Sequence, residues 1–327
     1  MPVQSLSSIG AYVPEKVVTN FELESMVDTS DQWIRTRTGI EERHILQDDE
    51  KPSKMAVEAG REAIESSEVS PSDLDLVLVA TNVSDLPIPG SAPFLAQELD
   101  LREEIPFFDM KAGCTGFIYG LDIASKYLLA PEYHHLLLVG LEALSRVIDW
   151  NDRETCVLFG DGAGAAVISD NGGGHRIISS TIHGDPAKAG LLRLEVGGTR
   201  HPRPNGLSQD HSNYLQMEGK GVFKSAVNMM ERASARVLAD AGLSVGDIDW
   251  VVPHQANIRI IRKLSNRLGV GMDSVVTNLN KYANTSTATI PLALREAIEE
   301  STFDPGDRIL LTAFGAGATY GATLLEW

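Results

Sequence analysis

Short apolar runs alternate along this chain with stretches whose apolar positions recur every three to four residues. The runs at 74–81 (LDLVLVAT), 135–140 (HLLLVG), 250–252 and 308–312 (RILLT) are rich in Val and Leu and bounded by turn residues, the pattern of buried strands. Between them the spacing predicts helices over 55–66, 116–129, 222–241, 256–268 and 290–301. This alternation predicts an α/β architecture whose helices cover a mostly parallel sheet.

The order of elements repeats. In each half a buried strand is followed at similar spacing by a helix that opens near a polar residue, Cys114 in one half and Asn284 in the other. Each half then carries a glycine-rich stretch with the look of a hairpin, 159–168 (FGDGAGAAVI) and 314–323 (FGAGATYGAT). Repeated order at similar spacing predicts a duplicated unit that breaks near Asn171-Gly172-Gly173-Gly174. The expected halves are 1–171, carrying Cys114, and 172–327, carrying His254 and Asn284, which would meet near an internal dyad.

Composition narrows the function classes. With 43% hydrophobic and 22% charged residues the chain is ordinary for a folded protein. No segment approaches the roughly 18 consecutive apolar residues of a membrane span, and the N-terminus has no basic region leading into an apolar one, so the cytoplasm is the expected address. A net charge of -17 argues against nucleic-acid binding, because phosphates would be repelled. Two cysteines, Cys114 and Cys156, do not make a disulfide framework or a cysteine zinc site. The histidines show no paired ligand spacing, so no metal is expected.

Cys114 stands in Ala112-Gly-Cys-Thr-Gly-Phe117, just ahead of an apolar helix. A thiol at a helix N-terminus faces unpaired N–H groups and the positive end of the dipole, which is expected to lower its pKa and enrich the nucleophilic thiolate. The same residue could equally be a small buried hydrophobe, as most free cysteines are. Cys156, in Thr155-Cys-Val-Leu158, lacks such a setting and reads as core. His254, in Pro253-His-Gln-Ala-Asn257, follows a buried strand, and strand C-terminal ends are where α/β folds place their chemistry. Asn284 heads Asn284-Thr-Ser at another helix entry, where a cap is the ordinary role. A Cys-His-Asn set fits a cysteine hydrolase or an acyl transferase. Two neutral donors facing one carbonyl suit the enolate formed when a malonyl thioester loses CO2, but spacing alone leaves both readings open.

Across nearly its full length the chain resembles the 3-oxoacyl-[acyl-carrier-protein] synthase III family, initiating condensing enzymes of the thiolase fold. The likeness is carried by 31–40 (DQWIRTRTGI) with Arg43-His44-Ile45, Gly113-Cys-Thr-Gly-Phe117, Phe159-Gly-Asp-Gly-Ala-Gly164, 217–224 (MEGKGVFK), Pro253-His-Gln-Ala-Asn257 and Asn284-Thr-Ser. It implies a five-layered α-β-α-β-α arrangement and a homodimer. It implies that Cys114 takes an acyl group from acyl-coenzyme A, and that His254 and Asn284 hydrogen-bond the thioester oxygen of malonyl-acyl carrier protein as it decarboxylates. The backbone N–H groups of Cys114 and Ala316 would form the oxyanion hole, and Phe314 would shield the thiol from water. Trp33 and Arg153 would sandwich the adenine of coenzyme A, Arg37 would reach a phosphate, and Gly219 and Asn257 would line the pantetheine arm. No permanently bound cofactor is implied. Arg259, Arg262 and Lys263 share a helix face in an acid-free stretch, which suits an acidic carrier protein.

Three features depart from the family pattern: Ala316 and Ala318 in the 314–320 turn, Ala283 in place of a glycine before Asn284, and the Pro-rich loop 84–90 that would close the acyl pocket across the dimer. They leave room for a same-triad relative in specialised metabolism with a different acyl preference. A cysteine thioesterase and a degenerate carrier-binding module are the remaining rivals; the intact Cys114, His254 and Asn284 speak against the second.

Overall fold

The computed structural model describes residues 3–202 and 213–327. Nine strands form its main sheet: β1 (Ser5–Tyr12), β2 (Leu76–Ala80), β3 (Phe107–Met110), β4 (His135–Ala143), β5 (Asp161–Ser169), β6 (His175–Gly184), β7 (Trp250–Pro253), β8 (Arg308–Gly315) and β9 (Thr319–Glu326). Their order across the sheet is β7-β8-β9-β6-β1-β5-β4-β2-β3. Only β2 with β3, β2 with β4 and β7 with β8 run parallel; the other pairings are antiparallel. The sheet is mixed, not mostly parallel as the alternation suggested. The antiparallel partners β1 (SLSSIGAY) and β5 (DGAGAAVIS) lack Val- and Leu-rich runs, so the pattern did not announce them. The glycine-rich stretch at 314–323 is indeed the β8–β9 hairpin. Its counterpart at 159–168 is not a hairpin but the single strand β5, set between β4 and β1.

Of the helices among the described residues, six bear on the site: α1 (Asp31–Thr38), α2 (Pro52–Glu65), α3 (Gly116–Tyr127), α4 (Gly219–Asp240), α5 (Ile258–Leu268) and α6 (Thr289–Glu299). Strand side chains alternate between faces, and both faces are buried. Val77, Val79, Leu137 and Val139 pack on Met55, Ala59 and Ala63 of α2. Their neighbours Leu76, Leu78, Leu136 and Leu138 face the other way, onto Phe117 and Leu121 of α3 and Ile290 and Leu294 of α6. The same central helices meet Val252, Ile309 and Leu311 from the far side. Leu310 and Leu324, on the opposite face of that second strand group, pack on Met230 and Val237 of α4 and Ile261 and Leu264 of α5. The stacking is α-β-α-β-α. Each buried Leu or Val contributes on the order of 2 kcal/mol, which is why these strands read as uninterrupted apolar runs. The two strand groups join through two residue pairs, Ser5 with Arg176 and Leu6 with His175.

The chain enters the central layer from Ala283, whose φ of 56° and ψ of -154° fall in a region almost reserved for glycine. Ala283 is buried, so its methyl group has no escape. Relief of that strain is worth about 1–3 kcal/mol, against about 0.5–1 kcal/mol of extra chain entropy for glycine. Ala283→Gly is therefore expected to stabilise the fold by about 1 kcal/mol, read as a raised urea or thermal midpoint. An unchanged or lowered midpoint would show that the backbone is unstrained.

Candidate active site

The C-terminal ends of β7 and β8 and the turns that lead into α3 and α6 converge on one cavity of about 900 Å³, whose wall includes Cys114, His254, Asn284 and Phe314. Trp33, Arg37, Arg153, Gly219, Asn257 and Arg259 line the same cavity. The sequence-predicted residues thus meet in one place, apart from Ala316, Arg262 and Lys263, which are not in its wall.

Cys114 sits in a 3-10 turn, Gly113–Thr115, that runs straight into α3. Gly113 has φ of 55°, and a Cβ there would collide with the backbone nitrogen of Ala316. That close approach sets the turn carrying Cys114 against the one carrying Ala316, beside the N–H pair expected of an oxyanion hole.

Cys114 and His254 are both buried. Burial pushes the thiol up to about 12, helped by the nearby Glu142 carboxyl and opposed by the Ser286 hydroxyl, which donates to Sγ at 3.3 Å. The expected lowering by the helix N-terminus is overturned: removal from water outweighs the dipole. A free thiolate is scarce at neutral pH, so a base must take the proton. Burial also holds His254 down at about 3, neutral at every working pH. Its Nδ1 lies 2.7 Å from the Thr289 hydroxyl, which itself donates to the Ser286 carbonyl at 3.0 Å. With its one proton committed, Thr289 can only accept, so Nδ1 carries hydrogen and Nε2 is left with a lone pair. His254 therefore presents a lone pair at Nε2, where the residue types had led one to expect a donor.

Asn284 is the donor. Its Oδ1 accepts the Ser286 N–H at 2.8 Å, which leaves the Nδ2 amide hydrogens for the cavity. The strand-like bond of its N–H to Leu158 O, at 2.9 Å, fixes the backbone.

Toward the mouth, the Arg153 guanidinium lies 5.0 Å over the Trp33 ring and that of Arg37 at 5.9 Å. Trp33 and Arg153 are in direct contact, with no gap for a base between them. An adenine sandwich requires Arg153 to swing outward, and its partly exposed side chain, held by Asp28 O at 2.7 Å, can do so. Asn257 caps α5 by accepting from Arg259 N–H at 2.9 Å. Arg259, Arg262 and Lys263 are exposed opposite the buried Ile260, Ile261 and Leu264. Cys156 is fully buried in the core, as expected.

Glu142, Ser286 and Thr289 escaped the sequence reading. One signal was available: Glu142 is a lone carboxyl in an otherwise apolar strand, HLLLVGLEA. It is fully buried, receives hydrogen bonds from Asn82 and Ser286, and has no partner for Oε2 among the described residues. Burial pushes it up to about 8.

Residues 108–186 match the family model described as 3-Oxoacyl-[acyl-carrier-protein (ACP)] synthase III, and 238–327 match its C-terminal counterpart. The chain belongs to this family. A beta-ketoacyl-[acyl-carrier-protein] synthase III of Caldanaerobacter subterraneus subsp. tengcongensis is 44% identical over 97% of this chain and 96% of its own. The solved synthase III of Thermus thermophilus superposes with a TM-score of 0.91 at 42% identity, covering 99% of both chains. A priming beta-ketosynthase of the R1128 polyketide pathway is 34% identical, with a TM-score of 0.88 over 99% of this chain and 96% of that one. The chain is thus a thiolase-fold condensing acyltransferase of fatty-acid biosynthesis.

Glu142 yields a pH prediction. Its folded pKa lies above its unfolded value of about 4.5, so stability is complete below that pH and is lost as pH rises toward 8. Glu142→Gln removes the titration. Relative to the wild type, the variant is expected to gain about 3 kcal/mol between pH 4.5 and pH 7, measured as the pH dependence of the urea midpoint. A gap independent of pH would show that Glu142 is ionised in the fold.

Proposed function

We propose that the chain condenses an acyl-coenzyme A primer with malonyl-acyl carrier protein, using Cys114, His254 and Asn284 as catalytic residues. The observation that carries this reading is the convergence of a thiol, a neutral imidazole with a free Nε2 and an amide donor on one cavity whose mouth is cationic.

In the first stage Nε2 of His254 takes the Cys114 proton and the sulfur attacks the acyl thioester. The tetrahedral oxyanion rests on the N–H groups of Cys114 and Ala316. The carbon–sulfur bond to coenzyme A breaks, and the leaving thiolate recovers the proton from His254. In the second stage the malonyl thioester oxygen accepts from Asn284 Nδ2, while His254, whose hydrogen sits on Nδ1, stands beside it without an Nε2 hydrogen to give. Loss of CO2 leaves the electron pair on the enolate, whose carbon attacks the acyl-cysteine. The carbon–carbon bond forms, Cys114 departs as thiolate and is reprotonated from solvent. Phe314 keeps water from the acyl-enzyme. These two stages consume acyl-coenzyme A as a substrate, release coenzyme A, and call on no resident cofactor.

Trp33, Arg37 and Arg153 would hold the nucleotide end of coenzyme A, with Gly219 and Asn257 along its arm. In a chain of net charge -17, the exposed Arg259, Arg262 and Lys263 suit an acidic carrier protein arriving at the same mouth. A homodimer is supported by the outer strand β3, a sheet edge with Phe107 and Phe108 exposed. The halves 1–171 and 172–327 would then be the two copies of the repeat, working together in the cytoplasm. The likeness to a priming polyketide synthase favours a second reading, the same chemistry on a different primer.

Labelled acyl-coenzyme A is expected to leave its label on Cys114, and malonyl-acyl carrier protein to release its own CO2 and carry that label into a product two carbons longer. Asn284→Ala is expected to retain labelling but lose about 10²–10³-fold in CO2 release. Rapid hydrolysis without extension would mark a thioesterase instead. A panel of straight and branched primers separates the two condensing readings.

A further inference from the structure

Ser286 has contacts that no role assigned so far uses. Its N–H donates to Asn284 Oδ1, its carbonyl accepts from the Thr289 hydroxyl that seats His254, and its own hydroxyl reaches Cys114 Sγ at 3.3 Å. One residue therefore ties together all three members of the proposed triad. It does so with φ of 51°, a left-handed backbone at which glycine would be the easy choice and a serine is uncommon. Its backbone bonds could be made by any residue; only the hydroxyl is particular to serine.

We propose that Ser286 is a catalytic residue whose hydroxyl donates to the Cys114 sulfur while that atom carries negative charge, as it enters and leaves the acyl-enzyme. This rests on Cys114 being the nucleophile. A buried sulfur anion has lost its water, and a hydrogen bond to a charged atom is worth more than one between neutral groups. The hydroxyl has one proton and two acceptors, because Glu142 Oε1 lies at 3.1 Å. An ionised carboxylate would claim that proton; a neutral carboxyl releases it to sulfur. The groups that face Glu142 are Asn82 after β2, Asp161 at the start of β5, Ser286 and Thr287 ahead of α6, and Cys114 ahead of α3. The two titratable ones, Asp161 and Cys114, both become negative on ionisation and disfavour a charge on Glu142. The surroundings thus leave the Ser286 proton to Cys114, and a thiolate there further discourages ionisation of Glu142.

The test compares full-length wild type with Ser286→Ala and Ser286→Gly. Glycine suits the left-handed backbone, so it separates loss of the hydroxyl from loss of the fold. Iodoacetamide, a small probe that enters the cavity, is mapped to Cys114 by peptide mass, and CO2 release from a malonyl thioester is measured alongside. Both variants are expected to alkylate Cys114 about 10- to 100-fold more slowly at one pH. Decarboxylation is expected to stay within about twofold, because the bonds that seat Asn284 and His254 come from the backbone of Ser286. Wild-type alkylation rates in both variants would overturn the inference, and so would CO2 release falling in step with alkylation, the mark of a structural role. A wild type that is not alkylated at Cys114 would overturn the nucleophile assignment itself.

Discussion

Two helix entries pressed together in the middle layer are the constraint on which the rest of this structure depends. The start of α3 and the turn leading into α6 meet so closely that a Cβ on Gly116 would lie 2.7 Å from the Thr287 methyl group. Both helices are buried between the two strand groups, so neither can draw back without emptying a core layer. The contact therefore fixes where Cys114, just before α3, stands relative to Asn284 and Ser286, just before α6. His254 is brought in from β7 by the N–H bond to Thr312 O at 2.8 Å and by its bond to Thr289. The proposed catalytic set is held by packing and backbone hydrogen bonds, with little left to side-chain freedom.

Burial decides the ionisation states in this site. It raises Cys114 and Glu142 and lowers His254, so the three begin as thiol, carboxylic acid and free imidazole. A net-neutral resting site suits a reaction in which charge appears only in passing. The negative charge that forms on sulfur, or on a thioester oxygen, finds donors already oriented in a dry cavity, where such bonds are stronger than in water. The cost is a reluctant nucleophile that needs a base and a donor within reach. The cationic mouth and the acid-free face of α5 act at longer range, on a protein whose overall charge is strongly negative.

Much of the fold was legible because β2, β4, β7 and β8 are buried on both faces, and burial on both faces writes an unbroken apolar run. All five predicted helices are present, with ends displaced by at most a few residues. β1 was missed and β5 was taken for a hairpin because serine, glycine and alanine can fill a crowded sheet without leaving an apolar signature. Their antiparallel pairing is what made the sheet mixed. In the site, Cys114, His254 and Asn284 could be picked out by their placement at element ends. Ser286 and Thr289 could not, since near a helix start such residues look like ordinary caps.

The sequence by itself determined the strand–helix alternation, the family, and the residue types at the three positions that converge. Those follow from local pattern and from motif order, which survive without coordinates. The protonation of those residues and the identity of their supports were decided only by the tertiary structure. The helix N-terminus argued for a low thiol pKa, yet enclosure between the two strand groups reversed it. The choice of donor and acceptor on His254 came from a hydroxyl whose own proton was already committed to Ser286. Desolvation and hydrogen-bond partnership are properties of what surrounds a group in space, and neighbours along the chain do not specify them.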